Sequence, residues 1–406
     1  MKAKKVVSLV VLTLLAMVFC FGSAMAAEKK GPIHFVMLTD LTGPAHAQVA
    51  PTGWVTEDYL KWLNKTKGGI NGHPIKITIV DTKYQLPLAR TTYARLKGQK
   101  QTTISFDDYS GGIEAMKNQF LADKIPVSMY TGHGPALYPT KYVVSHMPPY
   151  DDVLCAYANW IKKSWKETRK PRLALLLGDY AAGRAPEQAK WYVEKQGIDI
   201  VSIEYIPQLP TDTSDQLIRM RDKKPDFVFD TLMPDQLKVI LKDRLKLGIK
   251  IPQANFFFNS DQVKATVPLE GYVGYMGFQG TASWWEKDVP GVKLAYELYA
   301  HRGPIPNWTY VTTLAGVMGW VEAVKNALET VGYENLDGPA IMNGYLKIRN
   351  FKAMGLSPGL NYYKDDLRGS NKVKLCIFNK DGSISNLTDW FEAPHNLKLK
   401  AQAGIQ

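Results

Sequence analysis

The residues of this chain whose types and spacing suit ligand chemistry fall in short loops that precede helical patterns. Asp107-Asp108-Tyr109-Ser110-Gly111-Gly112 separates an apolar run ending at Phe106 from a helix. Ser110 reads there as an N-cap, and the N–H groups at a helix start, aided by the helix dipole, attract an anion such as a carboxylate. Capping its own helix and meeting a ligand are both open to that hydroxyl. Tyr130-Thr131-Gly132 follows the next strand pattern, and Thr131 offers a second hydroxyl to the same carboxylate. Tyr84, Trp284 and Trp285 lie near the same loops or near a chain crossing, where aromatic rings stack planar ligands. For Tyr84 and Trp285 ordinary packing is the simpler reading.

These loops take their meaning from the elements around them. Ile33–Leu38, Ile75–Val80, Thr102–Phe106, Pro126–Met129 and Tyr142–Ser145 read as strands, with helical patterns through Trp62, from Leu86-Pro87 and over Ile113–Leu121. Repeated strand–helix units imply a parallel sheet covered on both faces, with ligands beyond the carboxyl ends of its strands. The pattern restarts near Pro148-Pro149-Tyr150. It continues with strands at Arg172–Leu177, Ile198–Tyr205, Phe227–Asp230 and Ala254–Phe258, and with helices at Val153–Trp165, Glu187–Gln196, Thr213–Arg221 and Leu237–Leu247. Beyond Gly280 the chain turns helical over Val292–His301, Tyr310–Thr330 and Gly338–Leu346, before a strand at Lys372–Phe378. The binding edge therefore falls in the loops after Phe106, Met129, Leu177 and Phe258.

The N-terminus supports export. Lys2, Lys4 and Lys5 precede an apolar run from Val6 to Phe21, and Ala24-Met25-Ala26 offers a small-x-small cleavage site. Cys20 raises a lipoprotein reading, but Phe19 is bulky where a small residue is wanted. Removing residues 1–26 leaves 380, enough for two domains, and the net charge falls from +12 to +9. Lys and Arg are scattered among Asp and Glu, which argues against nucleic acid as a partner. Cys155 and Cys376 would remain, either paired in an oxidising compartment or as two buried thiols. The seven histidines form no H-x-H or H-E-x-x-H pattern, so neither a metal nor another cofactor is expected.

One segment carries more than generic pattern. Gly68 to Asp81 reads GGINGHPIKITIVD: a helix stop, an Asn71-Gly72 turn and a strand ending in an acid. It resembles the "GGINGxPI…D" segment of the leucine/isoleucine/valine-binding family, the type I periplasmic solute receptors of ABC importers. Leu41-Thr42-Gly43-Pro44 is similar to that family's first loop, and Pro87-Leu88-Ala89 to its next helix start. Gly178-Asp179-Tyr180-Ala181-Ala182-Gly183-Arg184 is similar to its D-x-x-Y-G-R segment, with an Ala-Ala insertion. Pro225-Asp226 and Leu247-Gly248-Ile249 follow in the same order.

The resemblance implies an α/β fold of two Rossmann-like lobes, parallel sheets flanked by helices, joined by a three-strand hinge. The first lobe would be 27–149 plus 282–356, the second 150–281 plus 357–406, behind a signal peptide at 1–26. It further implies that Ser110 contacts a ligand carboxylate, with Tyr109, Tyr130 and Thr131 beside it, and that Tyr180 lines the cleft from the other lobe. Asp261 falls near the acid that anchors the ammonium of bound amino acids, although an acid there also suits a helix N-cap. A zwitterion would bridge such lobes and favour closure. The expected function is a periplasmic, monomeric receptor that takes an amino-acid-like carboxylate to an inner-membrane permease without chemistry. An aromatic carboxylate or amide, which needs no ammonium anchor, is the alternative ligand. An exported hydrolase would want a G-x-S-x-G elbow, which is absent. A detached ligand-sensing domain shares the fold, but no output domain follows.

Overall fold

The computed structural model describes residues 30–106, 110–130, 132, 134–139, 142–304 and 307–405. The signal peptide expected at 1–26, and the site candidates Tyr109 and Thr131, fall outside these residues.

The first sheet is all parallel, in the order β2-β1-β3-β4-β5, from β1 (Ile33–Thr39), β2 (Ile75–Asp81), β3 (Thr102–Phe106), β4 (Val127–Met129) and β5 (Val143–Ser145). The helix His46–Lys67 stops at Gly68, which takes φ +67°, and an Ile70–His73 bridge closes the turn into β2. The second sheet holds β6 (Arg172–Gly178), β7 (Asp199–Ile206), β8 (Phe227–Asp230), β9 (Gln253–Asn255), β10 (Met276–Gln279), β11 (Lys372–Phe378), β12 (Ile384–Asn386) and β13 (Phe391–Glu392). Its order is β12-β11-β10-β9-β8-β6-β7, with β13 also on β11, and β11 runs antiparallel to its neighbours. Two expectations need correction. The strand read as Ala254–Phe258 ends at Asn255, and the three phenylalanines turn out of the sheet. Met276–Gln279, to which the sequence pattern assigns no element, is a sheet strand.

The late helices Pro290–Tyr299, Trp308–Val331 and Gly338–Lys347 share one core with β1 and the helix His46–Lys67. Trp320 is the clearest joint. Its ring lies 4.6 Å from that of Phe35, and its indole N–H donates to Thr103 Oγ1 at 2.7 Å. Burying a side chain of this size stabilises by about 2–3 kcal/mol. The chain passes from sheet to sheet near Met147–Tyr150, Gln279–Ser283 and Leu356–Arg368. These passages run side by side: Ala282 N donates to Leu356 O at 2.7 Å, and Ser145 N to Leu367 O at 2.9 Å.

Beside them lies a lattice of buried charge. Asp151 accepts from Gly134 N at 2.8 Å and from Asn396 Nδ2 at 3.0 Å. Asp152 accepts from Asn396 N at 2.7 Å and from the Arg368 guanidinium at 2.8 Å. Arg368 also grips Asp366 at 2.6 Å and donates to Ala393 O. Burial disfavours its charge, but Asp152 and Asp366 hold its pKa above the ordinary value. The helix Asn396–Gln402 is thereby tied to the first passage, and His395 stacks edge-on against Tyr138 at 5.4 Å. Cys155 and Cys376 are both free and buried.

Candidate functional site

The carboxyl ends of the two sheets face one another across a cleft, and two acids, a partly exposed Asp81 and a buried Asp40, shape the loops of its first wall. Asp81, last residue of β2, accepts from Leu41 N at 2.9 Å, Thr42 Oγ1 at 2.6 Å and Lys83 N at 3.0 Å. Burial opposes the charge, but these donors hold its carboxyl below the usual range. Asp40 takes the N–H groups of Gly43 and Ala45 and so fixes where the next helix begins. A Cβ on Gly43 would stand 2.7 Å from the carbonyl carbon of Lys83, so only glycine lets the two loops cross. Lys83 and Tyr84 both take positive φ, +52° and +59°, a conformation that β-carbon-bearing residues rarely adopt. The outcome is that Tyr84 and Gln48 both face the cleft. Gln48 is 7% exposed; its Nε2 donates to Thr309 Oγ1 at 2.7 Å, and its Oε1 has no partner.

Ser110 opens the helix Ser110–Asp123 and lines the same cleft. The loop after β4 reaches it, since a Cβ on Gly132 would lie 3.1 Å from Ser110 Oγ. Tyr130, 7% exposed, packs against His146, Phe257 and Trp308, with ring centroids 5.6, 5.9 and 6.2 Å away.

The second wall comes from β6 and from the turn after β9. Tyr180 lines the cleft; the Ala181-Ala182 insertion forms the short helix Ala181–Arg184 just behind it and does not displace it. Its hydroxyl donates to Thr231 O at 2.6 Å, so it presents a ring face. The phenol is kept neutral first by burial and then by Tyr150, Tyr84 and Asp230 nearby. Phe257 stands 4.2 Å from Trp308 across the lobes, and Tyr150, on the first passage, stands 5.4 Å from Phe257.

The cavity so formed measures about 40 Å3. At roughly 10–15 Å3 per water it holds a few waters, so a ring-sized ligand enters only when the lobes part or side chains withdraw. A larger hollow of about 620 Å3, between Phe227, Leu245 and Tyr275, opens at the opposite end of the second sheet. The ligand rule for parallel sheets favours the cleft instead.

The structure brings Tyr84, Ser110, Tyr130 and Tyr180 together around one cavity, including Tyr84, for which packing was the simpler reading. It leaves Asp261 apart. That residue sits in the first turn of the helix Ser260–Thr266, after Asn259 as N-cap, and accepts from Ser260 Oγ at 3.2 Å. It neither caps the helix nor lines the cleft; burial first of all pushes its carboxyl upward. Trp284 is buried among Tyr296, Tyr299 and Tyr310, and Trp285 meets Phe258 edge-on, so neither reaches the cavity. Sequence reasoning missed Gln48, Tyr150, Phe257 and Thr309. The signal for Gln48 was its place in the first helical turn after the Leu41–Pro44 loop. Among the described residues that line the cavity none is charged, and among the described residues no His, Cys, Asp and Glu group is placed to hold a metal.

The sequence model of the periplasmic binding protein family matches residues 32–382. Among solved structures, a branched-chain amino acid ABC transporter protein from Thermus thermophilus with bound valine is 18% identical, with a TM-score of 0.82 over 92% of this chain and 99% of that one. The substrate-binding protein of a fatty acid ABC transporter from Thermomonospora curvata is 20% identical, with a TM-score of 0.77 over 91% and 96%. A solute-binding protein of an ABC transporter from Rhodopseudomonas palustris BisB5, in complex with 3,4-dihydroxybenzoic acid, is 17% identical, with a TM-score of 0.73 over 89% and 98%. At these identities the likeness is one of fold. No curated protein matches the chain. The family match takes in the first sheet, strands β6 to β11 of the second and the cleft between them, and the chain belongs to the periplasmic binding protein family, with the type I fold.

Proposed function

We propose that the protein is the extracytoplasmic receptor of an ABC importer. On this reading it closes on a small carboxylate between two lobes, 27–149 plus 282–356 and 150–281 plus 357–406, and presents it to an inner-membrane permease. No step of chemistry is involved; the work is hinge closure. The ligand class that the cleft favours is an aromatic carboxylate or amide rather than a branched-chain amino acid. One observation carries this preference: four tyrosines and two phenylalanines line the cavity, and no charged side chain does among the described residues. An amino acid's ammonium wants a carboxylate, and Asp261 stands elsewhere. Ser110 and the N–H groups opening its helix supply the site for the ligand's acid. Relatives support the breadth of this choice, one carrying valine and another 3,4-dihydroxybenzoic acid.

A thermal-shift screen against aliphatic amino acids, amides and aromatic acids tests the reading. A ligand at 100 times its dissociation constant stabilises the native state by about 2.7 kcal/mol. Aromatic acids should raise the melting temperature, and should do so equally well in Asp261→Ala. If leucine or valine gives the shift and Asp261→Ala abolishes it, the amino-acid reading replaces this one. Turnover of an ester with no shift from any small molecule would end the receptor reading altogether.

A further inference from the structure

We infer that the ligand carries a neutral hydrogen-bond donor on its ring, a hydroxyl or an amide N–H, and that Gln48 is the residue that selects for it. The inference rests on the receptor reading above and narrows its ligand.

The argument starts from an unmet need. Gln48 is in the first turn of the helix His46–Lys67, whose start is set by the Asp40 carboxylate. The side-chain amide is held at its nitrogen end by Thr309, the second residue of the helix Trp308–Val331. That leaves Oε1 buried in the cleft wall without a partner. A desolvated acceptor in this condition is destabilising, and a ligand donor placed against it relieves that cost.

The surroundings narrow what the donor belongs to. Tyr180 has given its hydroxyl to Thr231 O, and Phe106, Ile113, Met129, Val49 and Phe257 offer no polar atom from their side chains. An apolar ring therefore fits the body of the site, in contact with aromatic faces that favour stacked or edge-on geometry. A cationic donor is disfavoured, because a lone neutral amide oxygen does not offset the desolvation of an ammonium. A neutral hydroxyl or N–H costs far less to bring in. A site built to bond such a group rejects the analogue that lacks it, since the acceptor is then left buried and unmet.

Isothermal titration of the purified protein with 4-hydroxybenzoate, 3-hydroxybenzoate, 4-aminobenzoate and benzoate tests this, with leucine and valine as a second arm. At least one donor-bearing ring should bind about tenfold more tightly than benzoate, the equivalent of about 1.4 kcal/mol. In Gln48→Leu that ratio should collapse toward one. Thr309→Val, which frees the amide from its tether, should reduce the ratio in part, and serves if Gln48→Leu does not fold. Equal binding of benzoate and its hydroxylated forms overturns the inference and leaves the aromatic-acid reading standing. A preference that survives in Gln48→Leu also overturns it. Binding of leucine or valine with no benzoate bound at all overturns both the inference and the aromatic ligand class.

Discussion

Tyr150 belongs to the cleft, and its neighbours Asp151 and Asp152 belong to the hinge lattice; between these adjacent residues the chemistry inverts. The lattice is charged and closed on itself: each carboxylate oxygen of Asp151 and Asp152 has a donor, and Arg368 has two acids. The cleft is neutral and incomplete, with phenol and phenyl rings and one buried amide oxygen unmet. Burying charge is tolerable only where every partner is permanent. A surface that must exchange ligands is better built from groups that survive desolvation in either state. The difference therefore separates what the fold must keep from what it must give up at each cycle.

The strongest way to break this comparison is to unpair the lattice. Asp152→Ala leaves Arg368 buried with one partner fewer and should cost about 3–5 kcal/mol in urea unfolding. The double change Asp152→Leu with Arg368→Leu should cost less than the sum of the two single ones, because the two fully buried charges leave together and the acid left behind, Asp366, is partly exposed. A loss under about 1 kcal/mol for Asp152→Ala would mean that the lattice is ornamental.

Acid probes the neutral side. His146, 3% exposed, packs at a tilt against Tyr130, and burial lowers its pKa to about 4 against an ordinary 6.5. A lowered pKa means that the neutral ring's contribution is whole above pH 6.5. It is lost as pH falls through the window from 6.5 to about 4, up to roughly 3 kcal/mol in all. The melting temperature of the wild type should thus fall further between pH 7 and pH 4.5 than that of His146→Gln, and parallel falls would remove His146 as the cause.

The smallest effect sharpens the contrast rather than breaking it. Tyr84→Gly removes a ring from the cleft at a position already at φ +59°, where glycine is at ease. Stability should change by less than about 1 kcal/mol, while affinity for an aromatic acid should fall about tenfold. A large stability loss without change in affinity would place Tyr84 with the scaffold.

Much of the fold was legible because fully buried strands announce themselves. Thr102–Phe106, Phe227–Asp230 and Lys372–Phe378 are found at the bounds their apolar runs suggest. Phe256-Phe257-Phe258 misled for the same reason: a run of apolar residues looks like a strand whether it stays in the sheet or turns across a cleft. Met276–Gln279, broken by Gly277 and closed by Gln279-Gly280, has no unbroken apolar run to mark it as a strand. At the site, loop positions after strands led to Ser110, Tyr130 and Tyr180. Direction within a loop was not legible, so Asp261, chosen from its place along the chain, stands in a helical turn away from the cavity. Gln48 escaped because it lies on a helix, and the binding edge was sought in loops.

The lattice also has a bearing on the order in which the molecule can be made. Asp152 waits for Arg368, 216 residues later, and for Asn396, 244 residues later. A ribosome working from the N-terminus delivers Asp152 more than two hundred residues before either partner. Until residues near 396 emerge, the first passage between the lobes has no permanent form, and loop closure over such a span is slow. The hinge therefore takes its final form only after both distant partners have been made, however early the strands of the first sheet are complete.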